Sequence, residues 1–271
     1  MTAPRFFITE PLVDDGDPAL GEGSSPATEP LTSSVVVPLS AEDLHHAVDV
    51  MRLQAGEEFT VAEPSGVVWR LQAEEVSRAT LRASVIERID PSREPRVTLV
   101  QAVAKGPKMD RIVEQAVEVG VFSVVPVVSE RTIVRLDEDK RSERGERWRR
   151  VARAAAKQAR RSVVPRVEDP VPLPDALPVI AAHDVVLVVW EEAPAGESVS
   201  RVLEQAAVTP RSSVALVIGP EGGLSSAEVE TLESVGARPC SLGPTILRTE
   251  TAGLVALALT LSALGGLGSD A

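Results

Sequence analysis

The chain predicts a small, mainly β domain followed by an α/β domain built on a mostly parallel sheet. Three observations carry this. Residues 1–90 alternate short β-like runs with turns. After "PSREP" (91–95) the pattern changes to alternating strands and helices. The strands of that second part are continuous Val/Leu runs with little alternation, as expected where both sheet faces are buried. At 271 residues the chain is long enough for two moderate domains with real cores. The division is 1–90, a linker at 91–95, and 96–271.

In the first domain "RFFI", "VVVPL", "EFTVAEP", "VVWRLQAEEV" and "TLRASVIERI" read as strands, with a turn at Pro64, Ser65 and Gly66. "SAEDLHHAVDVMRL" reads as one helix, Ser40 as its N-cap and Asp43 in the acidic first turn. His45 and His46 belong to that helix as surface or packing residues. Residues 14–30 are acidic, rich in Gly, Ser and Pro, and read as a mobile loop.

In the second domain "VTLVQAVA" is a strand, "PKMDRIVEQAVEVG" a helix and "FSVVPVV" a strand, followed by a long basic helix over about 143–161. "DVVLVVW", "SVALVIG" and "RPCSLG" read as strands with a helix after each. The apolar run at 255–264 is too short to span a membrane and reads as a buried helix.

Composition excludes several classes. A single cysteine, Cys240, permits neither an internal disulfide nor a Cys-based zinc site. Three histidines, two of them adjacent, make a metal cluster an unpromising reading. No charged-then-apolar leader and no long uncharged apolar stretch stand in the sequence, so the expectation is a soluble cytoplasmic protein with no membrane and no metal partner.

The formal net charge of −12 argues against a nucleic-acid partner only on average. Between residues 140 and 166 there are eleven Lys/Arg against two acids, Glu143 and Glu146. At about 100° per residue, Arg149, Arg153, Lys157 and Arg160 share one side of the helix. Arg150 and Arg161 lie beside them, and Val151, Ala152, Ala155 and Ala159 lie opposite. A merely solvated face usually mixes signs; this one points to phosphate or nucleic acid.

Three strand ends carry unusual sequence: "VVWEEAP", "LVIGPEGGLSSAEVE" and "SLGPTILRTETAGLVALAL". Ser225 and Glu228 make a capping box in the second. In open α/β sheets ligands sit beyond the carboxyl ends of strands, so the three loops can line one pocket. The second loop lacks the G-x-G-x-x-G spacing and the P-loop lysine, and Glu221 would repel a polyphosphate. Its glycines, 219, 222 and 223, would let backbone approach a flat ring. A ligand with adenine, ribose and a cationic centre suits it, and S-adenosylmethionine has all three.

"LVIGPEGGLSSAEVE" together with "SLGPTILRTETAGLVALAL" resembles the signature of the ribosomal RNA uracil-N3 methyltransferases (the RsmE type) of the SPOUT class. "RFFI", "HHAVDVMRLQAGEEF", "AVAKGPKMDRIVEQAVEVGV", "SERT" and "RVARAAAKQARRSVVPRV" follow in the order that resemblance implies, so it covers nearly the whole chain. It implies a PUA-like β-barrel RNA-binding domain, then a SPOUT domain with a trefoil knot that binds S-adenosylmethionine and dimerises. The implied partner is 16S rRNA or the small ribosomal subunit. Two departures stand out. Ala159 and Arg160 occupy positions where the family pattern has a small polar residue and glycine, and Glu114 and Gln115 replace its glutamine-lysine.

With the resemblance, Trp190, Glu191, Ile218, Gly219, Pro220, Glu221, Gly222, Gly223, Leu242, Gly243, Ile246 and Leu247 are the candidate cofactor residues. Arg5, Arg52, Arg131, Arg149, Arg153, Lys157 and Arg160 are the candidate RNA contacts. Arg248 and Glu250 are the candidate catalytic pair, Arg248 to stabilise negative charge on the uracil oxygens and Glu250 either to orient Arg248 or to serve as the base. Uracil N3 carries a proton at neutral pH, so its removal must be assisted or its anion stabilised. An acid in the first turn of a helix is favourable by itself and an arginine is not, which singles out Arg248. Three other readings stay open: a non-catalytic RNA-binding or assembly factor, a dinucleotide enzyme, and a SPOUT methyltransferase acting on another RNA or position.

Overall fold

The computed structural model describes residues 3–12, 34–91, 94–133 and 138–268. The acidic segment read as a loop, residues 14–30, lies outside the described residues. By their internal contacts the residues divide into two compact units, Met1–Ser92 with Arg160–Val164, and Arg93–Ala159 with Pro165–Ala271.

The first unit is a five-stranded sheet of β1 (Arg5–Phe7), β2 (Ser34–Val36), β3 (Glu58–Ala62), β4 (Val68–Val76) and β5 (Leu81–Ile89), in the order β1-β3-β4-β5-β2. β1 runs parallel to β3; the other pairs are antiparallel. Alternating positions supply its core, with Phe6, Phe59, Val61, Leu71 and Leu81 buried. Gly66, at φ +88, closes the tight turn between β3 and β4. Ser40 caps α1 (Ala41–His45) by accepting from the Asp43 N–H at 3.1 Å. The helix read as a single piece then widens into a π-helical turn over His46–Val50. His45 stays exposed there and pairs with Asp49 at 2.7 Å.

Residues Arg160–Val164 belong to this first unit although they follow the basic helix. Arg5 ties them in: its Nη1 donates to the Arg160 carbonyl and, at 3.0 Å, to that of Arg161, while its Nε donates to Thr60 Oγ1 at 3.2 Å. Burial, then the nearby charge of Arg160, lowers the Arg5 pKa. Arg160 adopts φ +56, the left-handed conformation that glycine takes most cheaply.

The second unit contains β6 (Arg96–Ala102), α2 (Lys108–Val119), β7 (Ser123–Val128), α3 (Glu138–Gln158), β8 (Arg166–Val167), β9 (Val171–Pro172) and α4 (Leu173–Ala181). It continues with β10 (Val185–Val189), α5 (Val199–Gln205), β11 (Ser213–Ile218), α6 (Ser226–Glu233), β12 (Ala237–Cys240) and α7 (Thr249–Ala263). The sheet order is β12-β10-β11-β6-β7-β8, with β9 also on β7, and every pair is parallel. Val97, Val100, Val124, Leu187, Val214 and Leu216 are buried, as strands covered on both faces require.

Two sequence expectations change. The basic helix spans Glu138–Gln158 and stops before Arg160, whose left-handed backbone cannot continue a helix. Arg160 therefore leaves the helical stripe on which periodicity alone placed it. α4 escaped the sequence reading because prolines Pro174 and Pro178 break the helical pattern. Pro174 lies in the first turn, where the missing N–H costs nothing, whereas Pro178 sits inside.

The chain enters the sheet at β6, in its interior, and builds outward through β7, β8 and β9 before returning to β10, β11 and β12 on the other side. The carboxyl ends of β10, β11 and β12 are thus neighbours. They lie beside the strand-order reversal, where crevices form in open α/β sheets.

Candidate functional site

The loops leaving β10, β11 and β12 line one cavity of about 410 Å³. Of the twelve candidate cofactor residues, eleven border it: Trp190 and Glu191 from the first loop, Ile218, Gly219, Pro220, Glu221 and Gly223 from the second, and Leu242, Gly243, Ile246 and Leu247 from the third. Gly222 does not. Ser241, Pro244, Thr245, Arg248, Thr249 and Ala252 complete the third side, and Lys108 reaches in from α2.

The glycines are needed for local reasons. A Cβ on Gly219 would stand 3.0 Å from the Gly223 carbonyl carbon and from the Leu224 nitrogen, so the turn could fold back on itself only by shifting backbone. Gly223 has φ +70, and a Cβ there would meet the Glu191 carboxylate at 2.5 Å. Gly243 has φ +112 and open space in front of its Cβ position.

Hydrogen bonds then lock the loops together. Thr249 Oγ1, buried at the start of α7, donates to the Gly219 carbonyl at 2.6 Å and accepts from Gln101 Nε2 at 2.9 Å. Gln101 is fully buried at the end of β6 and also donates to the Ala102 carbonyl at 3.0 Å. Downstream, the predicted capping box is present: Ser225 Oγ accepts the Glu228 N–H at 3.3 Å and Glu228 Oε2 accepts the Ser225 N–H at 2.9 Å. Glu228 Oε1 also accepts the Glu130 N–H at 2.7 Å, binding the turn to the loop after β7.

Glu221 in the glycine turn is engaged by protein groups. Its Oε1 accepts from the Lys105 N–H at 3.1 Å and from Lys108 Nζ at 3.0 Å. Burial, the largest single influence, pushes its carboxyl up. The Lys108 hydrogen bond, the backbone donors of Glu221 and Lys105 and the Lys108 charge together outweigh it, so the net shift is downward. The Lys108 ammonium is shifted up, chiefly by the hydrogen bond to Glu221.

Arg248 lines the cavity, exposed, as the N-cap residue of α7 with no side-chain capping bond. Glu250 does not border the cavity. Its Oε2 is buried without a hydrogen bond among the described residues and faces Lys108 Nζ at 3.6 Å. Geometry therefore gives Glu250 to Lys108 rather than to Arg248.

Lys108 went unread in the sequence, although a signal existed. A lysine opening a helix opposes the helix dipole, the same asymmetry that singles out Arg248. Gln101, a polar residue inside a doubly buried strand, was a second available signal.

The candidate RNA contacts separate into groups. Arg131 is exposed, yet its Nη1 donates to the Gly222 carbonyl at 2.9 Å, clamping the glycine turn. Arg149 is exposed, pairs with Asp169 at 2.8 Å and donates to the Val167 carbonyl at 3.2 Å. Arg153 and Lys157 are half-buried along the same helix, while Trp148, Ala152, Ala155 and Ala156 bury its other face. Arg5 is tied to backbone as described, and Arg52 and Arg160 are exposed at positive φ. Cys240 is buried against the Val188 carbonyl, and burial first of all pushes its thiol up to about 12. Among the described residues no cluster of His, Cys, Asp or Glu could hold a metal, and no helix is long and apolar enough to cross a membrane.

With this geometry in place, similarity to known proteins becomes informative. A family model described as an RNA methyltransferase domain matches residues 92–261. The chain is 35% identical over 222 residues to the ribosomal RNA small subunit methyltransferase E of Bacillus subtilis, covering 81% of this chain and 87% of that protein. It is 35% identical over 236 residues to the protein of the same name in Mycobacterium bovis, covering 85% and 87%. A methyltransferase of Legionella pneumophila, solved in complex with the bound cofactor SAM, superposes with a TM-score of 0.72 at 26% identity, over 97% of this chain and 98% of that one. A family model across most of the chain and relatives at this identity over most of both lengths lead to one conclusion: this chain belongs to the RNA methyltransferase family of the ribosomal RNA small subunit methyltransferase E type.

Proposed function

We propose that this protein transfers a methyl group from S-adenosylmethionine to N3 of a uridine in the 16S rRNA of the small ribosomal subunit. The observation that carries the reading is the convergence of three glycine-bearing loops on one cavity with Arg248 on its wall. The residues fit the donor. A cavity of about 410 Å³ is in the usual range for small-molecule sites. A Cβ on Gly219 would crowd the backbone of Gly223 and Leu224, and the acidic residues Glu191 and Glu221 border the space, compatible with a cationic ligand. Trp190, Ile218, Gly219, Pro220, Gly223, Leu242, Gly243, Ile246 and Leu247 would hold it, with Glu191 and Glu221 on the rim and Gly222 contributing through its bond to Arg131.

The donor, when bound, supplies an electrophilic methyl on a sulfonium whose departure leaves a neutral thioether, so alignment is the main demand. Arg248 supplies positive charge for the uracil oxygens as N3 loses its proton. Glu250 accepts that proton. Residues 1–90 act as a PUA-like β-barrel that binds RNA, linked through 91–95 to a knotted SPOUT domain over 96–271 that dimerises in the cytoplasm. Arg5, Arg52, Arg131, Arg149, Arg153, Lys157 and Arg160 form its RNA-facing cations. The resemblance of both glycine loops to the SPOUT signature supports this reading, as does the all-parallel sheet.

Mapping methylated uridines in 16S rRNA from cells with and without this protein tests the reaction. Loss of one N3-methyluridine is expected, restored by the wild-type chain and not by Arg248→Ala. An unchanged methylation map would overturn the assignment.

A further inference from the structure

We propose that Lys108 is the positioning residue of the site, holding the Glu250 carboxylate where it can take the uracil proton; this rests on the reading of Glu250 given above. Lys108 opens α2, borders the cavity, and places one ammonium between two acids, 3.0 Å from Glu221 Oε1 and 3.6 Å from Glu250 Oε2. The acids differ. Glu221 Oε1 has two donors, Lys108 Nζ and the Lys105 N–H, so it anchors the lysine to the glycine turn. Glu250 Oε2 is buried with no hydrogen bond among the described residues, and the lysine charge is what faces it.

Glu221 belongs to the turn after β11 and Glu250 to the first turn of α7, so one side chain on α2 ties together the donor-side loop and the acceptor-side helix. Without that ammonium the two carboxylates would face each other across a partly buried space with nothing between them, and repulsion would turn Glu250 away. In the step being served, the N3–H bond breaks and an O–H bond forms on Glu250. The electron pair left on N3 forms the new N–CH₃ bond, and the pair of the breaking S–C bond stays on sulfur.

The test compares Lys108→Met, Lys108→Arg, Glu250→Gln and the Lys108→Met/Glu250→Gln pair in the full-length protein. It measures kcat and KM on small-subunit rRNA, S-adenosylmethionine affinity by calorimetry, and the thermal midpoint. Lys108→Met is expected to lower kcat by roughly tenfold or more. Donor affinity should stay within about threefold, and Lys108→Arg should restore most of the rate. Because the lysine acts through Glu250, the double variant should be no slower than Glu250→Gln alone. Multiplied losses in the double variant, a parallel loss of donor affinity, or full activity of Lys108→Met beside an impaired Glu250→Gln would each overturn the role of Lys108 and leave that of Glu250 standing. Near-normal methylation by Glu250→Gln would instead remove the proton-acceptor reading and this proposal with it.

Discussion

Thr249 Oγ1 donates to the carbonyl of Gly219 at 2.6 Å, joining the first residue of α7 to the glycine turn that follows β11. Gln101 completes the link from β6, so three segments distant in sequence share one buried hydroxyl. Replacing it by a group of the same shape, Thr249→Val, leaves Gln101 Nε2 with one acceptor and the Gly219 carbonyl without its hydrogen bond from α7. A loss of about 1–3 kcal/mol is expected, read by urea unfolding, together with weaker S-adenosylmethionine binding. Thr249→Ser should keep both near wild type. Equal donor affinity in the valine variant would show that the tether does not shape the pocket.

Gly219→Ala meets backbone rather than a movable side chain, because its Cβ would lie 3.0 Å from Gly223 C and Leu224 N. Overpacking of this kind costs about 1–3 kcal/mol, and here the strain falls on the donor loop. Calorimetry should find donor affinity sharply reduced in a protein that is still folded. An alanine variant that binds like wild type would remove the close turn from the account.

Arg160 holds φ +56, where a side chain is strained and glycine is not. Arg160→Gly removes a cost of about 1–2 kcal/mol in the folded chain against about 0.5–1 kcal/mol of added unfolded-state entropy. A small net gain in urea midpoint is expected. Arg5 loses nothing, since its partner is the Arg160 carbonyl. RNA affinity reports separately on the missing guanidinium. A clear destabilisation would mean that the Arg160 side chain itself supports the fold.

The Glu221 carboxyl titrates below its ordinary value of 4.5 despite partial burial. A depressed acid stabilises the fold fully above its unfolded pKa and loses that contribution as pH falls through the lower folded value. The thermal midpoint of the wild type should therefore exceed that of Glu221→Gln at pH 7, and the gap should close as pH drops below about 4.5. A gap that stays constant down to pH 3 would contradict the pairing with Lys108.

Neutralising Arg149, Arg153 and Lys157 together to glutamine should weaken rRNA binding and flatten its salt dependence, since fewer phosphates are neutralised. Arg149 also pairs with Asp169, so the single Arg149→Gln change should lower stability slightly as well, by under about 1 kcal/mol for so exposed a pair. An unaltered salt slope in the triple variant would take the α3 stripe out of the RNA interface.

Much of this molecule was written locally. The Val runs at 97–100, 185–189 and 214–217 announce strands buried on both faces, and all their pairings are parallel. Ser225 and Glu228 announce a capping box four residues long, and it forms. The three unusual strand ends announce a shared cavity because open α/β sheets gather ligands at carboxyl ends. Each of these depends on backbone period or on partners within a turn, which sequence spacing encodes directly.

Tertiary structure decided the rest. Lys108 and Glu221 are 113 positions apart, Gln101 and Thr249 are 148 apart, and Arg5 reaches the carbonyl of Arg160 across 155. Arg131 became a clamp on Gly222 and Glu250 a partner of Lys108 for the same reason. A charged side chain read alone shows only that it needs an opposite charge or an acceptor. Which one it meets is set by the path that brings β6, β11 and α7 side by side, and only the folded chain contains that path.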